Sequence, residues 1–323
     1  MRLGQNPAKF VGEVARPARI TVAVLTYAPF LNGYFAEALD VMRAGLESLW
    51  RTTPQPYDLM VFDNGSCSEV VRYLLENQQQ SRIQYLLLSE RNMGKGGAWN
   101  AIFKAAPGEI LAYTDCDALF YPGWLERSLE ILEAYPHVGM VTARPFRTPD
   151  EFMTKTLAWA ESTPEVRVER GQLIPWETFR EFDMSLGQSE QDVRARYEST
   201  QDIRLTFKGV PAHVGASHYQ FVAYRSVLNT FVPFEMDRPM GQVRQLDRRM
   251  NDAGYLRLMT PEPLMMNLSN SLRAVPGMEP RRGALARRRS LARRIVEAGP
   301  LRRLLLGVHD AIFRLYYAGK GSR

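Results

Sequence analysis

Four times between residues 20 and 132 a short apolar run is followed by a segment with apolar residues every third or fourth position. The first run, 20–25, is Ile-Thr-Val-Ala-Val-Leu, β-branched and apolar on both faces, as a strand buried on both sides must be. Phe35, Leu39, Met42, Leu46 and Leu49 then keep a helical spacing until Pro54 and Pro56 stop it. The pattern repeats as strand 58–62 and helix 68–78, then strand 83–88 and helix 97–105, then strand 109–113 and a helix opening near Trp124. Such alternation is satisfied by an α/β fold with a mostly parallel sheet and helices on both faces. Ligands of such sheets bind beyond the carboxyl ends of the strands. Tyr27, Asp63 and Asp115 each sit just past a strand end and are expected in one cleft.

Charge is distributed unevenly. The chain carries +6, but residues 281–323 hold a net of +10, which leaves −4 for the other 280 residues. The basic character belongs to the tail and does not imply nucleic acid for the body. No apolar stretch reaches the roughly 18 residues of a membrane span, and the first residues lack the apolar block of a secretory signal. Two cysteines, Cys67 and Cys116, can form neither a disulfide framework nor a four-thiolate zinc site, so a reduced, cytoplasmic protein is expected. Residues 1–18 read as a flexible leader and 19–270 as the catalytic body. The charged, amide-rich stretch 148–212 reads as a helical lid, and 271–323 as a basic tail of amphipathic helices. In that tail Leu301, Leu304, Leu305, Val308, Ile312 and Leu315 make one apolar stripe, preceded by Arg287, Arg288, Arg289, Arg293 and Arg294. An anionic membrane surface, at the inner face of the cell membrane, is its expected partner; a second copy of the chain is the alternative.

The residues best suited to chemistry are Asp115 and Asp117, two carboxylates flanking one residue at a strand end. A hard divalent cation accepts such oxygens and bridges them to a diphosphate, although an Asp-capped turn has the same sequence. Asn92-Met-Gly94-Lys95-Gly-Gly can present amides to an anion but lacks both common phosphate-loop spacings. Cys116 lies between carboxylates, which disfavours a thiolate and hence a nucleophile.

In order and spacing, Val24-Leu-Thr-Tyr27, Phe62-Asp-Asn-Gly-Ser66, Asn92-x-Gly94 through Asn100, and Thr114-Asp-Cys-Asp117 resemble family 2 glycosyltransferases. The resemblance continues through Gly215 to Leu228 and Gly241 to Tyr255 and covers about 19–270. It implies a GT-A fold, a nucleoside-diphosphate sugar (UDP- or GDP-linked) as donor, and Mg²⁺ or Mn²⁺. It implies a glycan, lipid or small-molecule acceptor hydroxyl, and transfer with inversion in glycan, glycolipid or polysaccharide assembly. By position, Thr26, Tyr27, Asp63, Asn92, Gly94, Lys95, Asn100 and Asp115 fall on the nucleotide-sugar side. Asp115, Asp117 and Asn267 fall at the metal, and His218, Trp124 and Arg249 on the acceptor side.

The departures are specific. The acidic pair that opens the last catalytic helix in many relatives reads Gln242-Val243 here, and neither residue can take a proton. Asn267 stands at the position of a metal-side His. Asp237, followed by Asp247 and Glu235, is the expected substitute base. The rival of another class is a degenerate glycosyltransferase serving as a binding or scaffolding partner in a glycan-assembly complex.

Overall fold

The computed structural model describes residues 4–54, 56–237 and 242–272; the basic tail from 273 onward, with its expected helices, lies outside the described residues. In chain order the strands are β1 (Ile20–Thr26), β2 (Tyr57–Asn64), β3 (Tyr85–Ser89), β4 (Ile110–Asp115), β5 (Ala118–Phe120), β6 (Val138–Thr142), β7 (Arg167–Gly171), β8 (Asp202–Phe207), β9 (Val210–Val214), β10 (Gln220–Tyr224), β11 (Leu256–Met259) and β12 (Met265–Asn267). The helices are α1 (Ala38–Thr52), α2 (Ser68–Gln79), α3 (Gly94–Ala105), α4 (Trp124–Ala134), α5 (Thr154–Ser162), α6 (Trp176–Ser185), α7 (Glu190–Ser199), α8 (Arg225–Asn229) and α9 (Gln242–Asp252). Residues 4–17 are exposed and hold a single 3-10 turn, Pro7–Phe10.

The central sheet runs β3-β2-β1-β4-β10-β6-β11-β9-β8-β7. Its first four strands are parallel, as the four-fold alternation requires. β10, β9 and β7 run against the other seven, so most of the sheet keeps one direction. Alternate residues of β1 and β2 serve opposite layers because strand side chains alternate faces. Val22, Val24, Leu59 and Val61 pack with Met42, Leu46 and Leu49 of α1 and Val70 and Leu74 of α2. Ala23, Leu25, Met60 and Phe62 pack with Trp99 and Phe103 of α3 and Leu246 and Met250 of α9. The doubly apolar character of 20–25 is the signature of a strand covered on both sides.

The lid is not purely helical. Alongside α5, α6 and α7 it contributes β7, β8 and β9, which extend the central sheet in antiparallel fashion. The signal was present: 202–207 alternates apolar with polar side chains, and Lys208-Gly209 joins β8 to β9 with both residues at positive φ. That is a two-residue hairpin turn of the mirror-image type. The density of charge in the segment hides this period of two.

Two glycines set close approaches near the strand ends. A Cβ on Gly45 of α1 would lie 2.9 Å from the carbonyl oxygens of both Cys116 and Ala118. Helix α1 thus rests directly on the turn that carries the acidic pair. Ser48, one turn further on, accepts the Phe120 amide at 2.9 Å. At Gly215 the backbone has φ +123°, and a Cβ would meet Thr148 Oγ1 at 2.2 Å. Both Gly→Ala changes should destabilise, Gly215→Ala more so. It adds backbone strain of about 1–3 kcal/mol to an overpacking cost of similar size. At Gly45 the better helix propensity of Ala returns about 1 kcal/mol. Urea denaturation midpoints of the two variants test the order.

Candidate active site

β1, β2 and β4 end side by side, with Leu25 in register with both Phe62 and Asp115. Parallel pairing therefore gathers Thr26, Asp63 and Asp115 at one edge of the sheet; of the expected set Tyr27, Asp63 and Asp115, only Asp115 lines the cleft described below. Asp63 is buried and accepts hydrogen bonds from the Thr26 hydroxyl and the Ser66 amide, each at 2.9 Å. Its carboxylate thus fastens the β1 and β2 ends to each other. Tyr27 is more exposed and packs edge-on against Phe35.

The glycine-rich segment is organised by Asn64, which the sequence suggested only as part of a turn. Asn64 accepts the Met93 amide at 2.9 Å and donates to Asn92 at 3.0 Å, and Asn92 accepts the Gly94 amide at 2.8 Å. Gly94, at φ +69°, opens α3 three residues earlier than the periodicity predicts. This start aims Lys95 at the acidic turn, where Nζ donates to Asp115 Oδ2 at 2.6 Å. The other oxygen, Oδ1, accepts from the buried Tyr113 hydroxyl at 2.6 Å. Asn100, on the same helix, holds both the amide (2.7 Å) and the carbonyl (2.9 Å) of Phe234, so it anchors a loop.

Asp115 closes β4 and Asp117 precedes β5. β12 pairs antiparallel with β5, placing Asn267 opposite Ala118, and the Leu268 amide donates to the Asp117 carbonyl at 2.7 Å. The short second sheet is therefore what carries Asn267 to the acidic pair from 150 residues away in the chain. Asp115, Asp117 and Asn267 line one cleft of about 640 Å³, together with His218 and the lid residues Arg147, Asp183 and Asp202.

The electrostatics of this turn are unbalanced. Burial, then the adjacent Asp115 carboxylate, push the Asp117 pKa up, and Lys95 only partly opposes this because it is paired with Asp115. The Cys116 thiol is pushed far up by burial and by both neighbouring carboxylates, which agrees with its reading as a non-nucleophile. A divalent cation fits such a place. Asp117 is an acid that the protein itself leaves short of positive charge, and the available donors are oxygens, which hard cations prefer. Asn267 is less free: its oxygen accepts the Ser269 amide at 3.0 Å, and its Nδ2 donates to Ser185 at 3.2 Å. Among the described residues no group of three His, Cys, Asp or Glu side chains comes together as a ready-made metal site.

Of the expected acceptor-side residues only His218 lines the cleft. Trp124 is a core residue, 1% exposed, packed on Phe120 and donating to Thr53 at 2.9 Å. An aromatic at a helix start reads equally well as site or core, and here the apolar interior takes it. Arg249 is exposed and donates to the Phe231 carbonyl at 3.2 Å, outside the cleft lining. Glu235 and Asp237 are exposed on the loop after α8, and neither lines the cleft. Asp247 is buried, with both oxygens engaged, by Arg257 and His218. It is therefore not presented to an acceptor.

The lid end of the cleft holds polar groups that sequence did not single out. Thr148 Oγ1 and His213 Nδ1 are buried without a hydrogen-bond partner among the described residues, and Asp183 faces Arg196 at 3.1 Å. Arg147 donates to Asp202 at 2.6 Å and to the Arg196 and Tyr197 carbonyls of α7, and Asp202 also accepts the Leu173 and Ile174 amides, which ties α7, β8 and the segment before α6 together. A second hollow of about 940 Å³, lined by Tyr34, Arg180 and Met184, shares Asn267 with the first.

These features define a class: an α/β protein with a mostly parallel central sheet and an acidic pair, a lysine and an amide at the carboxyl edge of that sheet. Residues 30–187 match the family model of Glycosyl transferase family 2. An uncharacterized glycosyltransferase of a Nostoc species is 29% identical over 30% of this chain and 30% of that relative. An uncharacterized glycosyltransferase of Methanocaldococcus jannaschii is 26% identical over 38% of this chain and 40% of that relative. Both matches span well under two thirds of the relatives' length. Among solved structures, a mannosyltransferase from Pyrobaculum calidifontis in complex with GDP-Man and Mn²⁺ is similar, at 19% identity and TM-score 0.45 over 77% of this chain and 56% of that one. The chain thus resembles family 2 glycosyltransferases in sequence, as its motifs indicated. The matched region ends at 187, so the resemblance read in 215–255 lies beyond it.

His213 carries a testable consequence. Burial lowers its pKa from 6.5 to about 4. The unfolded chain therefore binds this proton first as pH falls. The stability contributed by the neutral ring is complete above pH 6.5 and is lost from there toward pH 4. Between pH 7 and pH 5 the loss is about 2 kcal/mol. His213→Gln should remove that share of the acid sensitivity, seen as a smaller drop in urea midpoint between the two pH values.

Proposed function

We propose that this chain is a metal-dependent glycosyltransferase that moves a sugar from a nucleoside-diphosphate sugar to an acceptor hydroxyl, with inversion, in glycan or glycolipid assembly. The observation that carries this reading is the shared cleft of Asp115, Asp117 and Asn267 at the carboxyl edge of the parallel strands. It is supported by the family match. Asp117, with Asp115 and Asn267, would hold Mg²⁺ or Mn²⁺. When bound, such a cation supplies positive charge that stabilises a departing diphosphate. Lys95, held at Asp115 by its ion pair and at the helix start that follows the Asn92 turn, supplies a second positive charge for the same oxygens. Thr26, Tyr27 and Asp63 shape the base and ribose side. Thr148 and His213 suit an acceptor with several hydroxyls, because each holds a buried polar atom without a hydrogen-bond partner among the described residues, which favours a ligand that can supply one.

A second reading, a degenerate glycosyltransferase that binds without turning over, is favoured by Gln242 and Val243 at the usual base position. An anionic lipid surface remains the proposed partner of the basic tail. The test is sedimentation of the full chain with vesicles with and without anionic lipid, where equal binding to both would exclude it. Among the described residues no helix is long and apolar enough to cross a membrane.

Asp117→Asn separates the metal reading from a structural one. Removing a carboxylate raised by burial and by Asp115 should leave the melting temperature unchanged or higher. It should also abolish the Mn²⁺-dependent thermal shift given by a panel of UDP- and GDP-sugars. A metal-dependent shift equal to that of the parent protein would overturn the assignment. Nucleotide-sugar binding with no turnover on any acceptor, water included, would favour the second reading.

A further inference from the structure

The positions that hold a proton-accepting acid in many relatives are Gln242 and Val243, and the exposed acids Glu235 and Asp237 do not line the cleft. The cleft does contain a histidine whose orientation is fixed by the fold. His218 lies between β9 and β10, in a segment anchored on both sides. The Ser217 amide donates to Thr142 Oγ1 at 2.8 Å, and the Tyr219 carbonyl accepts the Asp115 amide at 2.8 Å. The side chain of His218 is 35% exposed where it lines the cleft, and its Nδ1 is 3.1 Å from Asp247 Oδ2.

The partner determines the tautomer. Asp247 pairs through its other oxygen with Arg257, which is 1% exposed and also donates to the carbonyls of Ala216 (2.8 Å) and Phe152 (2.9 Å). A carboxylate whose other oxygen is held by a buried guanidinium presents its free oxygen as an acceptor, which assigns the donated proton to His218 Nδ1. The lone pair is then on Nε2. Asp247 of α9 faces the ring with Arg257 of β11 behind it, and the charged groups that line the same cleft are Asp115, Asp117, Arg147, Asp150, Asp183, Arg196 and Asp202.

We propose that His218 is the general base of the transfer and that Asp247 is its positioning residue, in place of the carboxylate missing at 242–243. This rests on the glycosyltransferase reading above. The acceptor oxygen attacks the anomeric carbon as its proton passes to Nε2. The bond from that carbon to the diphosphate oxygen breaks, and its electron pair leaves with the nucleoside diphosphate. The imidazolium that forms is stabilised by the Asp247 carboxylate, and Arg257 holds that carboxylate in place.

The test uses the full chain with Mn²⁺. Two kinds of readout separate this inference from the reading it rests on. Nitrogen NMR of the histidine rings, with His218 assigned through His218→Asn, should show the Nδ1–H tautomer for His218, and Asp247→Asn should abolish its dominance. An Nε2–H form in the parent protein would overturn the proposal without touching donor binding. With a panel of UDP- and GDP-sugars and water as acceptor, His218→Asn should keep the thermal shift and lower nucleotide release about 10²–10⁴-fold. Imidazole added to His218→Gly should restore part of it. Release by His218→Asn within about threefold of the parent rate would overturn the proposal on the scale expected of a lost base. Absence of any nucleotide-sugar thermal shift in the parent protein would instead remove the glycosyltransferase reading, and this proposal with it.

Discussion

Two carboxylates one residue apart, at the end of a buried strand, are an electrostatic problem that the surrounding structure only half solves. Asp115 receives Lys95 and the Tyr113 hydroxyl; Asp117 receives neither and is destabilised by burial and by Asp115. Much of the nearby architecture serves to hold this pair where it is. Gly45 lets α1 approach the turn, Ser48 ties Phe120, and β12 pairs with β5 from the far end of the chain. Helix α3 begins at Gly94 so that Lys95 can reach Asp115. A fold that retains an unbalanced acid at the mouth of its sheet keeps an affinity for an added cation, and this gives the site its chemical direction.

A second charged set is balanced and buried. Arg257, Asp247 and His218 form a line from the interior to the cleft. Burial lowers the Arg257 pKa and Asp247 opposes that shift, so the ion pair is held together by mutual need in a place poor in water. The pair contributes orientation more than stability, since it decides which ring nitrogen of His218 carries the proton. The acidic turn and this line meet through one strand end, where Tyr219 bonds the Asp115 amide.

The four βα units and the carboxyl edge at which β1, β2 and β4 end together were determined by the sequence alone, because a run apolar on both faces has only one environment that satisfies it. The identity of Asp115 and Asp117 as the central feature came from the same logic. Tertiary structure decided everything that depends on distant partners. The strands inside the lid were masked by charge, although Lys208-Gly209 marked their hairpin. Trp124 went to the core because the space between Phe120 and Thr53 takes its ring and its N–H together. Asp247 became a buried partner of Arg257 through a contact ten residues along the chain that strand β11 creates. Asn267 reached the acidic pair through a two-stranded sheet that has no local signature. Sequence periodicity reports the environment of a residue along its own element; which oxygen faces which cation is set by the packing of elements that are far apart in the chain.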